Sequence, residues 1–285
     1  MIVELLATLR LEILNIGIRE HGQEWSYDQV HSPFSRLYLI LDGEAETRHH
    51  GQLFQMRPGT LNLVPCFTTA SYRCPDRFHY YYIHFTSQLA GGIDLFNLAK
   101  VEMQVEAGAA HRELFARLLA LLPDRDIPVC RPHAPDQRTL PARPVPPPGH
   151  PGTWLESDGL FRQILAPVVA TAQETSPMPE GFTRMLEFIN ANMDRPLAVS
   201  ELAAHCGLHP NYFSGQFKKT FGISPCDYLN RCRVERAQTL MFAGGHSMKE
   251  IAASLGFADP AYFARLFKRY AGISPSDYQR RVVRT

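Results

Sequence analysis

Tyr212-Phe213-Ser214-Gly215-Gln216-Phe217-Lys218-Lys219-Thr220-Phe221-Gly222-Ile223-Ser224-Pro225-Cys226-Asp227-Tyr228 is answered fifty residues later by Tyr262-Phe263-Ala264-Arg265-Leu266-Phe267-Lys268-Arg269-Tyr270-Ala271-Gly272-Ile273-Ser274-Pro275-Ser276-Asp277-Tyr278. Ten of the seventeen positions are identical. Upstream the offset becomes 49, pairing Glu201 with Glu250, Leu202 with Ile251 and Gly207 with Gly256, so one residue has been added in the second turn. Self-similarity of this extent marks a duplicated supersecondary unit.

Each copy spells a short helix, a glycine turn and a second helix, the helix-turn-helix layout. In the first copy a helix through Ser200–Cys206 stops at Gly207 and the chain restarts at Pro210. In the second, Ser247-Met248-Lys249-Glu250 has capping-box spacing, and Asp259-Pro260 places a capping residue before a proline at the first helical position. Phe213 and Phe217, like Phe263 and Phe267, lie four apart and are expected to face the core. Lys218, Lys219, Lys268 and Arg269 fall where they should reach phosphates, and Ser224-Pro225 and Ser274-Pro275 should cap the helices that follow. A helical repeat without a ligand, its basic residues merely solvated, is the competing reading; a solenoid generally needs three or more repeats to bury its faces.

Charge points the same way. The net charge of +1 conceals 14 Lys/Arg against 9 Asp/Glu from Glu180 onward, and 15 against 19 before it. A basic last third on an acidic remainder suits a polyanionic partner for that third alone. With 45% hydrophobic and 20% charged residues over 285 positions, two soluble domains are expected. Glu4 and Glu12 interrupt any apolar leader, so no signal peptide is expected, and no apolar run is long enough to span a bilayer. Six scattered cysteines without a C-x-x-C pair suit a reducing, cytoplasmic setting better than a zinc or disulfide framework.

Residues 1 to about 90 read as β-structure. Arg36–Leu41 ends at Asp42-Gly43, a hairpin turn signal; further turns are marked at His50-Gly51 and Arg57-Pro58-Gly59. Leu61–Val64 and His79–Phe85 complete a series of short strands at about ten-residue spacing, as in a sandwich or small barrel. Residues 109–122 switch to helical periodicity through Leu114, Phe115, Leu118, Leu119 and Leu122. Prolines crowd 123–152, which is expected to be a semi-extended linker, and a second helical stretch at 154–175 carries Pro167, which should kink or split it. The fold expected is two-domain α+β: a β-domain with a closing helix at 1–122, a linker and connecting helix at 123–179, and an all-α domain at 180–285.

Residues 180–285 resemble the AraC/XylS family of transcription regulators, most specifically through Ile251–Phe257, Tyr262–Lys268 and Gly272–Pro275, with the family's connecting helix echoed in Arg233–Leu240. The resemblance implies two helix-turn-helix units joined by a helix at roughly 226–243, about 27 Å long. It implies double-stranded DNA as partner, with recognition helices in successive major grooves about 34 Å apart. Carried over by position, the base-reading residues are Asn211, Ser214 and Gly215 on the first recognition helix, and Ala261 and Arg265 on the second. Gly215 departs from the family, where a long polar or basic residue is common. The β-region resembles the cupin-like, jelly-roll sensor domain of such regulators, notably at Leu39–Gly43 and Arg57–Leu61. That likeness implies a pocket for a small effector, often a sugar, a homodimer formed through helices such as 109–122, and RNA polymerase as partner of an activator.

Arg36 and Tyr38 share one strand face and Tyr82 and His84 another; with Tyr72 they are the candidate effector residues, since tyrosine offers a stacking plane and a hydroxyl. Core packing explains the same residues equally well. A metal cupin would need G-x5-H-x-H: Gly43 and His49 match its first half, but the next histidine is His50, expected on the opposite strand face. His79 and His84 differ by an odd number and fail likewise, so no catalytic residue, metal or cofactor is expected. Two other readings remain open: a regulator without an effector, whose β-domain only dimerises or binds protein, and a DNA-tethered cupin enzyme.

Overall fold

In the computed structural model, the described residues are 6–89, 92, 94–126, 151–173, 179, 181–221 and 223–283. Most of the proline-rich linker expected at 123–152 lies outside them. The chain forms two compact units: residues 11–86 and 99–173 in one, and 1–10, 87–98 and 174–285 in the other.

The first unit is built on two facing antiparallel sheets. Strands β1 (Arg10–Gly22), β8 (Arg77–Gln88), β3 (Ser35–Gly43), β6 (Thr60–Val64) and β9 (Gln104–Glu106) lie side by side in that order. The second sheet runs β2 (Tyr27–His31), β7 (Thr69–Arg73), β4 (Ala45–His49) and β5 (Gln52–Met56). Asp42-Gly43, read from sequence as a hairpin turn, is instead a corner: β3 pairs with β6 and β8, whereas β4 pairs with β5 and β7. Gly43 is required there, because its φ is +72° and a Cβ would collide with the Arg77 carbonyl oxygen. His50-Gly51 does close a hairpin, with His49 opposite Gln52. Such an arrangement of two packed sheets is the jelly-roll layout.

β8 is buried on both faces, which explains its near-continuous aromatic run. Tyr81 and Phe85 point out to helices, Tyr81 stacking on Phe115 of α2 (Ala109–Leu121) and Phe85 meeting Phe161 of α3 (Pro151–Ala170) edge-on. Tyr80, Tyr82 and His84 alternate with them and are buried on the other face. The helical stretch expected at 154–175 as a connector is α3, which begins at Pro151 and packs on α2 in this unit, with Arg117 Nε 2.8 Å from Glu156 Oε1. Pro167 does not split α3, which is one helix to Ala170.

The second unit is helical: α4 (Phe182–Ala191), α5 (Val199–His205), α6 (Pro210–Phe221), α7 (Pro225–Ala243), α8 (Met248–Ser254), α9 (Pro260–Ala271) and α10 (Pro275–Val283). A short helix from earlier in the chain, α1 (Leu95–Leu98), belongs with it, Leu98 packing against the α4–α6 core. Phe213 and Phe217 bury in that core, and Phe263 and Phe267 bury in its counterpart around α7–α10.

Candidate nucleic-acid interface and ligand face

The ends of the duplicated helices are fixed as the sequence requires. Ser247 Oγ accepts from the Glu250 amide while Glu250 Oε2 accepts from the Ser247 amide, so two otherwise unpaired N–H groups are satisfied reciprocally. Asp259 Oδ1 accepts from the Ala261 amide at 2.8 Å, and Ser224 and Ser274 cap α7 and α10 by accepting from Asp227 and Asp277 amides.

With Phe213 and Phe217 turned inward, the opposite side of α6 carries Asn211, Gly215, Lys218 and Lys219, all exposed. Ser214 is only half-buried, and its hydroxyl is turned back onto the Pro210 carbonyl at 2.9 Å. On α9, Ala261, Arg265, Lys268 and Arg269 are exposed. Arg265 lies 3.9 Å from Asp259, too far for a hydrogen bond, and both groups are largely in solvent. An ion pair of that kind adds little, so its guanidinium is available. Arg269 is less so: it sits 3.4 Å from Asp227 and over the Tyr270 ring.

Sequence reasoning passed over Tyr212 and Tyr262 as mere repeat markers. Both are exposed large rings beside the outward faces, and Tyr212 Oη accepts from Gln216 Nε2 at 3.0 Å. The signal was present: neighbours of an inward Phe on a helix lie about 100° away from it.

Helix α7 joins the two halves and is about 28 Å long over its 19 residues. Three contacts lock the halves to it and to each other. Arg233 Nη2 donates to the Arg195 carbonyl at 2.5 Å, and Tyr270 Oη donates to Asp227 Oδ1 at 2.8 Å. Gly256, at φ +73°, lies so close to the Arg195 backbone that a Cβ would stand 3.0 Å from it. The second turn thus rests on the loop before α5, which ties the second half directly to the first.

In the sheet unit, all five candidate ligand residues turn inward and are buried. Register places Arg36 opposite His84 and Tyr38 opposite Tyr82 on neighbouring strands, and Tyr72 faces them from the other sheet. Arg36 donates to the hydroxyls of Tyr72, at 3.4 Å, and Ser32, and lies over the Phe34 ring. His84 packs against Tyr82 and Phe34, its Nδ1 buried without a hydrogen-bond partner. Burial, and then the Arg36 charge, hold the imidazole pKa well below its ordinary value, so it is neutral. Tyr38, Tyr72 and Tyr82 are also packed into the aromatic core around Trp25. The sequence did not disclose Asp126, which accepts from Tyr82 Oη at 3.0 Å and is paired with Arg19. Gly17 makes room for that contact; a Cβ there would overlap the Asp126 carboxylate and the Tyr82 ring.

His49 and His50 correct an expectation. They do not diverge: their Nδ1 atoms lie 3.0 Å apart. His50 sits in the turn at φ +50°, outside the strand pleat, so alternation does not apply to it. Burial lowers the His49 pKa to about 4. Among the described residues, no three His, Cys, Asp or Glu side chains gather as a metal site would require, and no helix is long and apolar enough to cross a membrane.

A model of the AraC-like ligand binding domain matches residues 14–138, and a helix-turn-helix domain model matches 202–281. The chain is 33% identical over 88 residues to the regulatory protein PocR of Salmonella typhimurium, covering 31% of this chain and 29% of PocR. It is 28% identical over 113 residues to the lactose operon transcription activator of Staphylococcus xylosus, covering 36% of this chain and 40% of that protein. It thus spans less than half the length of these relatives. ToxT of Vibrio cholerae, solved with unsaturated fatty acid bound, is 11% identical with a TM-score of 0.51, over 97% of this chain and 96% of ToxT. At that identity the likeness concerns the fold alone. With a ligand-binding-domain match over the sheets and a helix-turn-helix match over the duplicated helices, the chain belongs to the AraC family.

Proposed function

We propose that this chain is a sequence-specific, DNA-binding transcription regulator of the cytoplasm, acting as a homodimer and engaging RNA polymerase where it activates. The observation that carries the reading is the pair of exposed helix faces, Asn211–Lys219 and Ala261–Arg269, joined by α7 and its contacts. One enters the major groove with Lys218 and Lys219 at the phosphates; the other adds Arg265, whose fork matches a guanine edge. Lys268 and Arg269 then meet phosphates. Full-length protein should select a preferred duplex from a randomised library. Its affinity should fall with salt along a straight line in log K against log salt, and Lys268→Ala should flatten that slope by about one. Failure to prefer any duplex would overturn the reading.

The inward face of the sheet unit is proposed as the effector site, with Arg36, Tyr38, Tyr72, Tyr82 and His84 as its polar lining. A buried guanidinium beside a neutral imidazole and tyrosine hydroxyls suits a small neutral or anionic metabolite, such as a sugar or a sugar acid. A thermal-shift panel of sugars and carboxylates should give at least one ligand whose effect is lost in Arg36→Ala. A blank panel favours the regulator without an effector.

A further inference from the structure

We infer that Gly215 is the point at which α6 meets DNA backbone-first, so that the first half of the operator is read by steric fit to a thymine methyl while the second is read by Arg265. The inference rests on the DNA-binding reading above. Gly215 lies inside α6, four residues after Asn211 and three before Lys218, in the middle of the outward face. Its backbone is ordinary helix; it is absent from the glycines with positive φ. A Cβ built on it would meet nothing within 4 Å. Nothing among the described residues therefore asks for glycine here, although glycine in a helix interior weakens the helix relative to alanine. The reason for it is sought outside the chain.

The neighbours give the bare position a shape. Ser214 is folded back on the Pro210 carbonyl, and Tyr212 and Gln216 are clasped to each other by their hydrogen bond. These flanking groups are held in place, and Gly215 is the low point between them. At the matching position of the second copy stands Arg265, 70% exposed at its side chain. Two copies of one helix thus present opposite surfaces, a notch and a projecting cation. A notch floored by Cα and backbone can hydrogen-bond no base edge, but it accepts a protruding apolar group. In the major groove that group is the thymine 5-methyl, as guanine O6 and N7 are the acceptors matched to arginine. The preferred operator is therefore asymmetric, with a T·A pair under α6 and a G·C pair under α9.

The experiment uses full-length protein and the duplex it selects from a randomised library. Gly215→Ala should raise the melting temperature of the helical unit by about 4 °C. It should weaken binding to the selected duplex about tenfold, as one mismatched pair does, and leave unrelated DNA unchanged. Replacing the thymines of the α6 half-site by deoxyuridine, which removes only the methyl, should weaken the wild type and have little further effect on Gly215→Ala. Gly215→Arg should select a different base pair at that position. Unchanged or tighter binding by Gly215→Ala overturns the inference. So does a lowered melting temperature, which would mean that the chain itself needs the glycine, or indifference of the wild type to deoxyuridine. If the wild type prefers no duplex, the DNA-binding reading falls and this inference with it; a preference that Gly215→Ala leaves undiminished removes only the inference.

Discussion

The two helix-turn-helix copies have the same shape and hold it by different means. In the second, Ser247 and Asp259 cap both helices through their side chains. In the first, Ala198 and His209 stand at those places, and only Glu201 reaches back, to the Ala198 amide at 2.9 Å. The first copy compensates in its interior, where Phe182 lies parallel to Phe221 and packs with Phe213 and Phe217; the second has Ala271 where the first has Phe221. What the copies share is the inward Phe pair and the Ser-Pro caps. Besides Phe221/Ala271, they part on the outward side at Ser214/Ala264 and Gly215/Arg265, where the positions are exposed or half-exposed. Packing therefore constrains the common residues, and the outward face is left to differ with what it reads.

The largest effect should come from attacking what is common. Phe217→Ala and Phe267→Ala each empty a fully buried site and should cost about 3–5 kcal/mol. Urea unfolding checks the loss, and the Phe217 variant should fall toward the low end, because Phe182 and Phe221 can close over the gap. A greater loss at Phe217 than at Phe267 would reverse the comparison. Next comes what differs. Arg265→Ala should cost about 1–3 kcal/mol on the selected duplex and relax preference at one base pair. A titration over single-base variants showing an even loss would assign Arg265 to the phosphates instead.

The helical half was far more legible than the sheet half, for a physical reason. A helix is local: Phe213/Phe217, the Ser247–Glu250 box and Asp259-Pro260 are all settled within five residues, so sequence shows them directly. A jelly roll is not. Whether Asp42-Gly43 turns a hairpin or a corner depends on strands 20 to 40 residues away in sequence, and the dipeptide looks alike in both cases. Strand alternation is local, so the sequence shows that Arg36 shares a face with Tyr38 and Tyr82 with His84; the register then sets Arg36 beside His84. Asp126 was invisible, since nothing in the sequence around it announces that it reaches Tyr82. His50 misled because alternation was extended one residue into the turn. Helix α3 reads as a connector in sequence because its partner strand lies about 75 residues upstream, where Phe85 meets Phe161.

The smallest expected effect separates the copies by their caps alone. Ser247 Oγ accepts from the Glu250 amide, and the Ser247 amide donates to the Glu250 carboxylate; Ala198 can take part only in the second of these bonds. Ser247→Ala should therefore cost about 1 kcal/mol, and Ala198→Ser, installing the missing acceptor in front of Glu201, should recover a similar amount. The serine and alanine backbones are already extended alike, at φ −72°, ψ 156° and φ −84°, ψ 145°, so neither change asks the chain to move. Acid gives a second readout. The amide and hydroxyl of Ser247 hold the Glu250 carboxyl below its ordinary pKa. Its contribution is therefore present at neutral pH and is lost as pH falls through the folded-state value. In Ser247→Ala part of that depression goes, and the stability difference between variant and wild type should narrow in acid. Equal stability of wild type and Ser247→Ala at neutral pH would show that the second copy does not rely on its cap. The asymmetry between the copies would then lie in their interiors and reading faces only.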